Sequence, residues 1–216
     1  MDLSSYIDHT NLKVDATMED IEKLCREAAQ YHFASVCVHP YYVPFAKKIL
    51  EKTTVAVGTV VGFPLGMNTK EVKVYEAIEA VNEGADEIDM VINIGALKDK
   101  DYEYVKEEIE EVRDAIDGKV LKVIIETSAL TKEEIIKMTE MCNETYVHFI
   151  KTSTGFGSAG AKEEDIKTIM EHKNEILEVK ASGGIRTEED IKNFIKLGVS
   201  RIGTSSAIEI MKGDQK

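Results

Sequence analysis

Eight times along this chain a short apolar run, often β-branched, gives way to a helix-length amphipathic segment, and nothing else in the sequence restricts the fold so tightly. The predicted strands cover residues 6–12, 34–38, 55–61, 87–94 and 120–125, then a run ending at Lys151, a run ending near Lys180, and residues 201–203. Helices are expected between them. Thr17 with Asp20 marks the first helix, on which Ile21, Leu24, Cys25, Ala28 and Ala29 share one face. Further helices are read over residues 42–50, from about 69 to 82, and over 102–115. Thr131 with Glu134 forms a capping box, a helix follows from about Lys162, Thr187 with Asp190 opens another, and Ser205 and Ser206 lead into the last. Short connections between mostly apolar strands point to an α/β fold with a parallel sheet, closed as a single-domain (βα)8 TIM barrel over residues 1–216. An open doubly wound sheet fits less well, because no G-x-G-x-x-G follows the first strand.

A formal charge of −13 on 216 residues argues against a nucleic-acid partner, whose phosphates most of this surface would repel. A small metabolite is the expected ligand. Cys25, Cys37 and Cys142 are scattered and form no CxxC pair, so neither a disulfide framework nor a zinc-thiolate site is suggested, and a reducing cytoplasm fits. The N-terminus has no basic start followed by an apolar stretch, and no run is long enough to span a membrane. A soluble protein with no membrane partner is expected.

The chemistry concentrates at two strand ends of the same construction. In His148-Phe149-Ile150-Lys151-Thr152-Ser153-Thr154-Gly155-Phe156-Gly157 an apolar strand ends in a lysine, then hydroxyls, then two glycines around one aromatic. Leu177-Glu178-Val179-Lys180-Ala181-Ser182-Gly183-Gly184-Ile185-Arg186 repeats the pattern. The separation, 180 − 151 = 29 residues, is close to one strand–helix–strand unit, so both lysines can emerge from neighbouring parallel strands at one end of the sheet. Burial and a second ammonium both favour the neutral amine, which makes Lys151 a candidate nucleophile. A lysine that merely reaches out past the barrel rim is the plain structural alternative.

Asp89 lies inside an apolar strand and needs a cation, either Lys180 or Lys122. Asp8 and Lys122 are read as an interior pair, catalytic or structural. Gly155, Gly183 and Gly184 let backbone N–H groups approach an anion, and Ser205 and Ser206 add hydroxyls at a helix start. In barrels a phosphate commonly binds after strands seven and eight, so the substrate is expected to carry a phosphate at the end remote from the lysine.

These stretches, together with Glu87-Ile88-Asp89-Met90-Val91 and Val60-Val61-Gly62-Phe63-Pro64, resemble the deoxyribose-phosphate aldolase family over essentially the whole chain. The resemblance implies a class I aldolase that needs no metal or other cofactor and interconverts 2-deoxy-D-ribose 5-phosphate with acetaldehyde and D-glyceraldehyde 3-phosphate, in deoxyribonucleotide catabolism. It implies Lys151 as the Schiff-base lysine, Lys180 as the lysine that perturbs it and moves protons, and Asp89 as the carboxylate of the relay. Gly155, Gly183, Gly184, Ser205 and Ser206 match phosphate-binding positions, and Asp8, Thr10 and Lys122 polar positions of the pocket. A homo-oligomer is also compatible with the family. Some members carry a tyrosine near the C-terminus that assists proton transfer; Met211-Lys212-Gly213-Asp214-Gln215-Lys216 has none, and water or the Asp89–Lys180 pair is expected to serve.

Three other readings compete. A metal-dependent enzyme would need convergent ligands, but His9, His32, His39, His148 and His172 show neither H-x-H nor HExxH spacing. A phosphosugar isomerase would use the same phosphate loops with a carboxylate base, and a non-catalytic phosphometabolite binder would leave both lysines without work.

Overall fold

A computed structural model describes residues 2–213. Eight parallel strands close into a barrel in sequence order, with β8 paired back to β1. They are β1 (Ile7–Asn11), β2 (Ser35–Val38), β3 (Ala56–Val61), β4 (Glu87–Val91), β5 (Val120–Ile124), β6 (Phe149–Lys151), β7 (Glu178–Ser182) and β8 (Arg201–Thr204). The helices around them are α1 (Met18–Tyr31), α2 (Val43–Leu50), α3 (Lys70–Asn82), α4 (Ile94–Lys98), α5 (Tyr102–Ala115), α6 (Lys132–Glu144), α7 (Glu163–His172), α8 (Glu188–Lys196) and α9 (Ala207–Lys212).

The outer layer follows from local chemistry. On α1, Ile21, Leu24, Cys25 and Ala28 are buried at i, i+3, i+4 and i+7, while Ala29 is only half-buried. The Thr17 side chain accepts the Asp20 N–H and Asp20 reaches back, so the first turn is closed by its own residues; losing the cap costs about 1 kcal/mol. The same box opens α6 at Thr131–Glu134 and α8 at Thr187–Asp190. Ile21 is fully buried, and Ile21→Ala would cost roughly 2–5 kcal/mol in transfer and cavity terms.

Two elements depart from the expected pattern. The fourth strand ends at Val91 rather than 94, because the Asn93 side chain accepts the Ala96 N–H at 3.0 Å and starts the short helix α4. An apolar run continuing through residue 94 cannot signal that change by periodicity. β7 runs two residues past Lys180, to Ser182, so that lysine sits one layer down inside the barrel. Of the C-terminal stretch, Asp214 to Lys216 lie outside the described residues. Among the described residues no helix is long and apolar enough to cross a membrane.

Candidate active site

Strand register decides what meets inside the barrel. Lys151 on β6 and Lys180 on β7 are direct partners across the ladder, as are Asp89 on β4 and Lys122 on β5. Their side chains all turn inward. Asp89 Oδ2 accepts from both Lys151 Nζ and Lys180 Nζ at 2.8 Å, while Oδ1 accepts from Lys122 Nζ at 2.8 Å. Both partners expected for Asp89 are therefore engaged, together with Lys151. Asp8 lies closer to Lys180, at 2.5 Å, than to Lys122, at 3.5 Å. Room for the Lys180 stem comes from Gly203 on β8, where an added Cβ would sit 3.1 Å from Lys180 Cε.

Two further residues complete this centre. Glu87, two residues before Asp89 and so on the same face of β4, accepts from Lys122 at 2.6 Å. Arg201, opening β8, donates to Asp8 at 2.7 Å and to Glu87 at 2.7 Å. The period-two spacing of Glu87 and Asp89 signals the first; nothing local in the sequence marks Arg201 as inward-facing.

The four cations and three carboxylates do not balance if all are ionised. Burial pushes Lys151 down from the ordinary lysine range; the ammonium of Lys180 adds to this, and Asp89 opposes it. Both causes expected from the sequence act on Lys151, and desolvation is the larger. Burial would also lower Lys180, but Asp8 and Asp89 together outweigh it and hold that amine above its usual range. Desolvation would raise Asp89, yet Lys122, Lys151 and Lys180 hold its carboxyl well below the usual carboxylate range. Lys151 is thus the cation that gives up its proton most readily, leaving three cations against three carboxylates.

A cavity of about 850 Å³ opens above this centre at the C-terminal ends of the strands. Lys151 lines it, as do Thr10, Gly155, Gly183, Gly184, Ser205 and Ser206. Lys180, Asp89, Asp8 and Lys122 do not line it and are fully buried. The structure therefore brings the three catalytic candidates together, Lys151 facing the cavity and Asp89 and Lys180 buried beneath it, and places the five phosphate candidates on the cavity wall. Of the three polar pocket candidates, only Thr10 reaches the cavity; Asp8 and Lys122 belong to the ionic layer underneath. At Ser205 and Ser206 a helix dipole contributes little, since α9 has only six residues and Ser206 makes no capping bond. Among the described residues no cluster of three or more His, Cys, Asp or Glu is arranged to hold a metal ion.

The sequence model of DeoC/LacD family aldolases matches residues 3–208. The chain belongs to this aldolase family. It is 53% identical to a deoxyribose-phosphate aldolase of Clostridium novyi, over 99% of this chain and 96% of that protein. To the deoxyribose-phosphate aldolase of Thermococcus gammatolerans it is 54% identical, again over 99% and 96%. Among solved structures, the tetrameric deoxyribose phosphate aldolase of Aeropyrum pernix superposes with a TM-score of 0.90 at 32% identity, covering 97% of this chain and 89% of that one. The DeoC/LacD aldolases are carbon–carbon lyases, and this chain is an enzyme of that class.

For such an aldolase the sequence reading overlooked Glu126. Its carboxylate accepts from the Thr154 N–H at 3.0 Å, the Thr154 hydroxyl at 2.5 Å and the Ser128 hydroxyl at 2.9 Å, just above Lys151. A glutamate ending an apolar strand at Ile124-Ile125-Glu126 is the only signal that could have drawn attention to it.

Proposed function

We propose that this aldolase cleaves 2-deoxy-D-ribose 5-phosphate reversibly to acetaldehyde and D-glyceraldehyde 3-phosphate through an imine on Lys151, as one catalytic domain serving deoxyribonucleotide breakdown. The observation that carries the reading is a buried lysine, lowered in pKa, that lines a cavity together with Gly155, Gly183, Gly184, Ser205 and Ser206. The relatives that act on deoxyribose phosphate by name support the substrate.

The neutral amine of Lys151 attacks C1 of the open-chain sugar, and loss of water gives an iminium ion. As the C2–C3 bond breaks, its electrons flow into the iminium to form an enamine, and the C3 hydroxyl gives up its proton to a water ordered by Asp89 and Lys180. Glyceraldehyde 3-phosphate leaves. Lys180, kept charged by Asp8 and Asp89, then supplies the proton that C2 of the enamine requires, and hydrolysis frees acetaldehyde and the Lys151 amine. Gly155, Gly183, Gly184, Ser205 and Ser206 hold the phosphate, and Thr10 lines the wall between. Three free, buried thiols suit a cytoplasmic setting, and the tetrameric relative supports a homo-oligomer.

Borohydride in the presence of acetaldehyde should inactivate the enzyme irreversibly and leave an ethyl group on Lys151 in peptide mapping. Labelling confined to other lysines would overturn the assignment, and a phosphosugar isomerase would yield no adduct.

A further inference from the structure

The loop that follows Lys151 is fastened by a side chain outside the ionic centre. Glu126 lies two residues past the end of β5 with φ at 52°, a left-handed conformation unusual for a glutamate. Its side chain is buried, at 6% exposure, and its three hydrogen bonds come from neutral donors. Carboxylates this buried are rare without a cation, so the contacts it makes deserve an explanation beyond packing.

Those contacts run along one path. Glu126 Oε2 takes both donors of Thr154, and the Thr154 hydroxyl in turn accepts the Phe156 N–H at 3.0 Å. At Gly157 an added Cβ would lie 2.6 Å from Glu126 Oε1, and the carboxylate could yield only by giving up its hydrogen bonds. Beneath, the Ile125 N–H donates to the Lys151 carbonyl at 3.0 Å and the Thr127 N–H to the Thr152 carbonyl at 2.8 Å. The fastening therefore extends the β5–β6 ladder beyond the end of the sheet. Thr154, Gly155 and Phe156 line the cavity, and Gly155 Cα sits 3.7 Å from where a Cβ on Gly183 would be.

We propose that Glu126 is a positioning residue that sets the phosphate end of the cavity, by holding the Thr154–Gly157 loop against the Gly183 loop. This rests on the aldolase reading above for the identity of the anion. The carboxylate does not line the cavity; it acts through Thr154, which does.

The test compares Glu126→Ala, Glu126→Gln and Gly157→Ala with the parent. Glutamine keeps one oxygen for Thr154 while its amide can donate to the Ser128 hydroxyl, so it should restore most of what alanine loses. For Glu126→Ala and Gly157→Ala, KM for deoxyribose 5-phosphate should rise about tenfold, while cleavage of free deoxyribose and the rate of borohydride trapping with acetaldehyde change less than about threefold. Calorimetry with inorganic phosphate reads the same end without turnover: about tenfold weaker binding in both variants supports the proposal even in a protein that cleaves no sugar. Equal losses on the phosphorylated and free sugars, or phosphate affinity unchanged from the parent, would overturn it. Should Glu126→Ala fail to fold, Gly157→Ala against Glu126→Gln still decides. A parent that binds phosphate but forms no imine would sink the aldolase reading and leave the Glu126 measurement standing.

Discussion

Two buried ionic centres flank β4, one inside the barrel and one outside it, and they settle their charges in opposite ways. Outside, Lys73 on α3 and Glu108 on α5 are fully buried and pair at 2.6 Å, the second Glu108 oxygen taking the Asn93 N–H at 2.6 Å. Each has a single ion-pair partner, Glu76 adding a weaker pull on Lys73, and burial wins: Lys73 is pushed down and Glu108 up. Inside, Asp89 faces three lysines and Lys122 faces Asp89, Glu87 and Asp8. Desolvation there is at least as severe, yet Lys122 is raised and Asp89 lowered. The number of counter-ions, more than depth, sets the direction in which a buried group's pKa moves. Lys151 is the revealing exception: it sits in the crowded centre but touches a single carboxylate oxygen that it shares with Lys180, so burial prevails at the position proposed to form the imine.

The largest expected effect comes from unbalancing the inner centre. Lys180→Leu removes the ammonium that shares Asp89 Oδ2 with Lys151 and, with it, the proposed proton carrier. Burial, the larger cause of the lowered Lys151 pKa, stays in place, but losing the Lys180 ammonium moves Lys151 back toward the ordinary lysine range and shrinks its neutral fraction. With the proposed proton carrier gone as well, turnover near neutral pH should fall by about a hundredfold or more, and the pH at which acetaldehyde trapping is half-maximal should move upward. A trapping profile superimposable on the parent's would leave Lys180 as a proton carrier only.

Much of this was legible in the sequence, for reasons that differ by region. The barrel followed from eight repeats and from caps such as Thr17–Asp20, because these are local and each acts within one turn. Lys151 and Lys180 were found because the same strand–lysine–glycine construction recurs one repeat apart. What stayed hidden was set by register. Nothing in the order of residues says that Arg201 spans to Glu87, or that Asp8 prefers Lys180 to Lys122, since those contacts cross the barrel interior between strands that are not neighbours in the sheet. Lys73 and Glu108 were hidden for another reason: charged residues on amphipathic helices read as solvent-facing, and only the packing of α3 on α5 buries them.

The outer pair offers a smaller effect and a control. Lys73→Met alone strands a buried carboxylate, and loss of one partner of a buried pair costs about 3–5 kcal/mol of folding stability. Adding Glu108→Leu should recover much of that, less the lost bond to the Asn93 N–H. Urea midpoints measure both. The trapping profile against pH should stay with the parent in every variant that folds, because neither residue faces Lys151. A shift comparable to that of Lys180→Leu would mean that the two centres are coupled through β4 and that the contrast between them is false.

The smallest effect separates the centres by pH. The folded-state pKa of Glu108 lies above its ordinary 4.5, so the native protein takes up this proton before the unfolded chain does. As pH falls from neutrality through that raised pKa, stability gains on this account, and the gain is complete below 4.5. Asp8 and Asp89 run the other way: their folded-state pKa values lie below 3.8, so their contribution is whole above that value and is lost as pH falls further. Glu108→Gln removes the first effect and leaves the second. The stability difference between parent and Glu108→Gln should therefore drift in favour of the parent between pH 7 and about 4.5 and then level off, while both proteins lose stability together below pH ~3.8. Chemical denaturation across pH 3 to 7 reads this directly. A difference that is flat to pH 4.5 and opens only below it would place Glu108 among the well-paired carboxylates, and counting counter-ions would no longer distinguish the two centres.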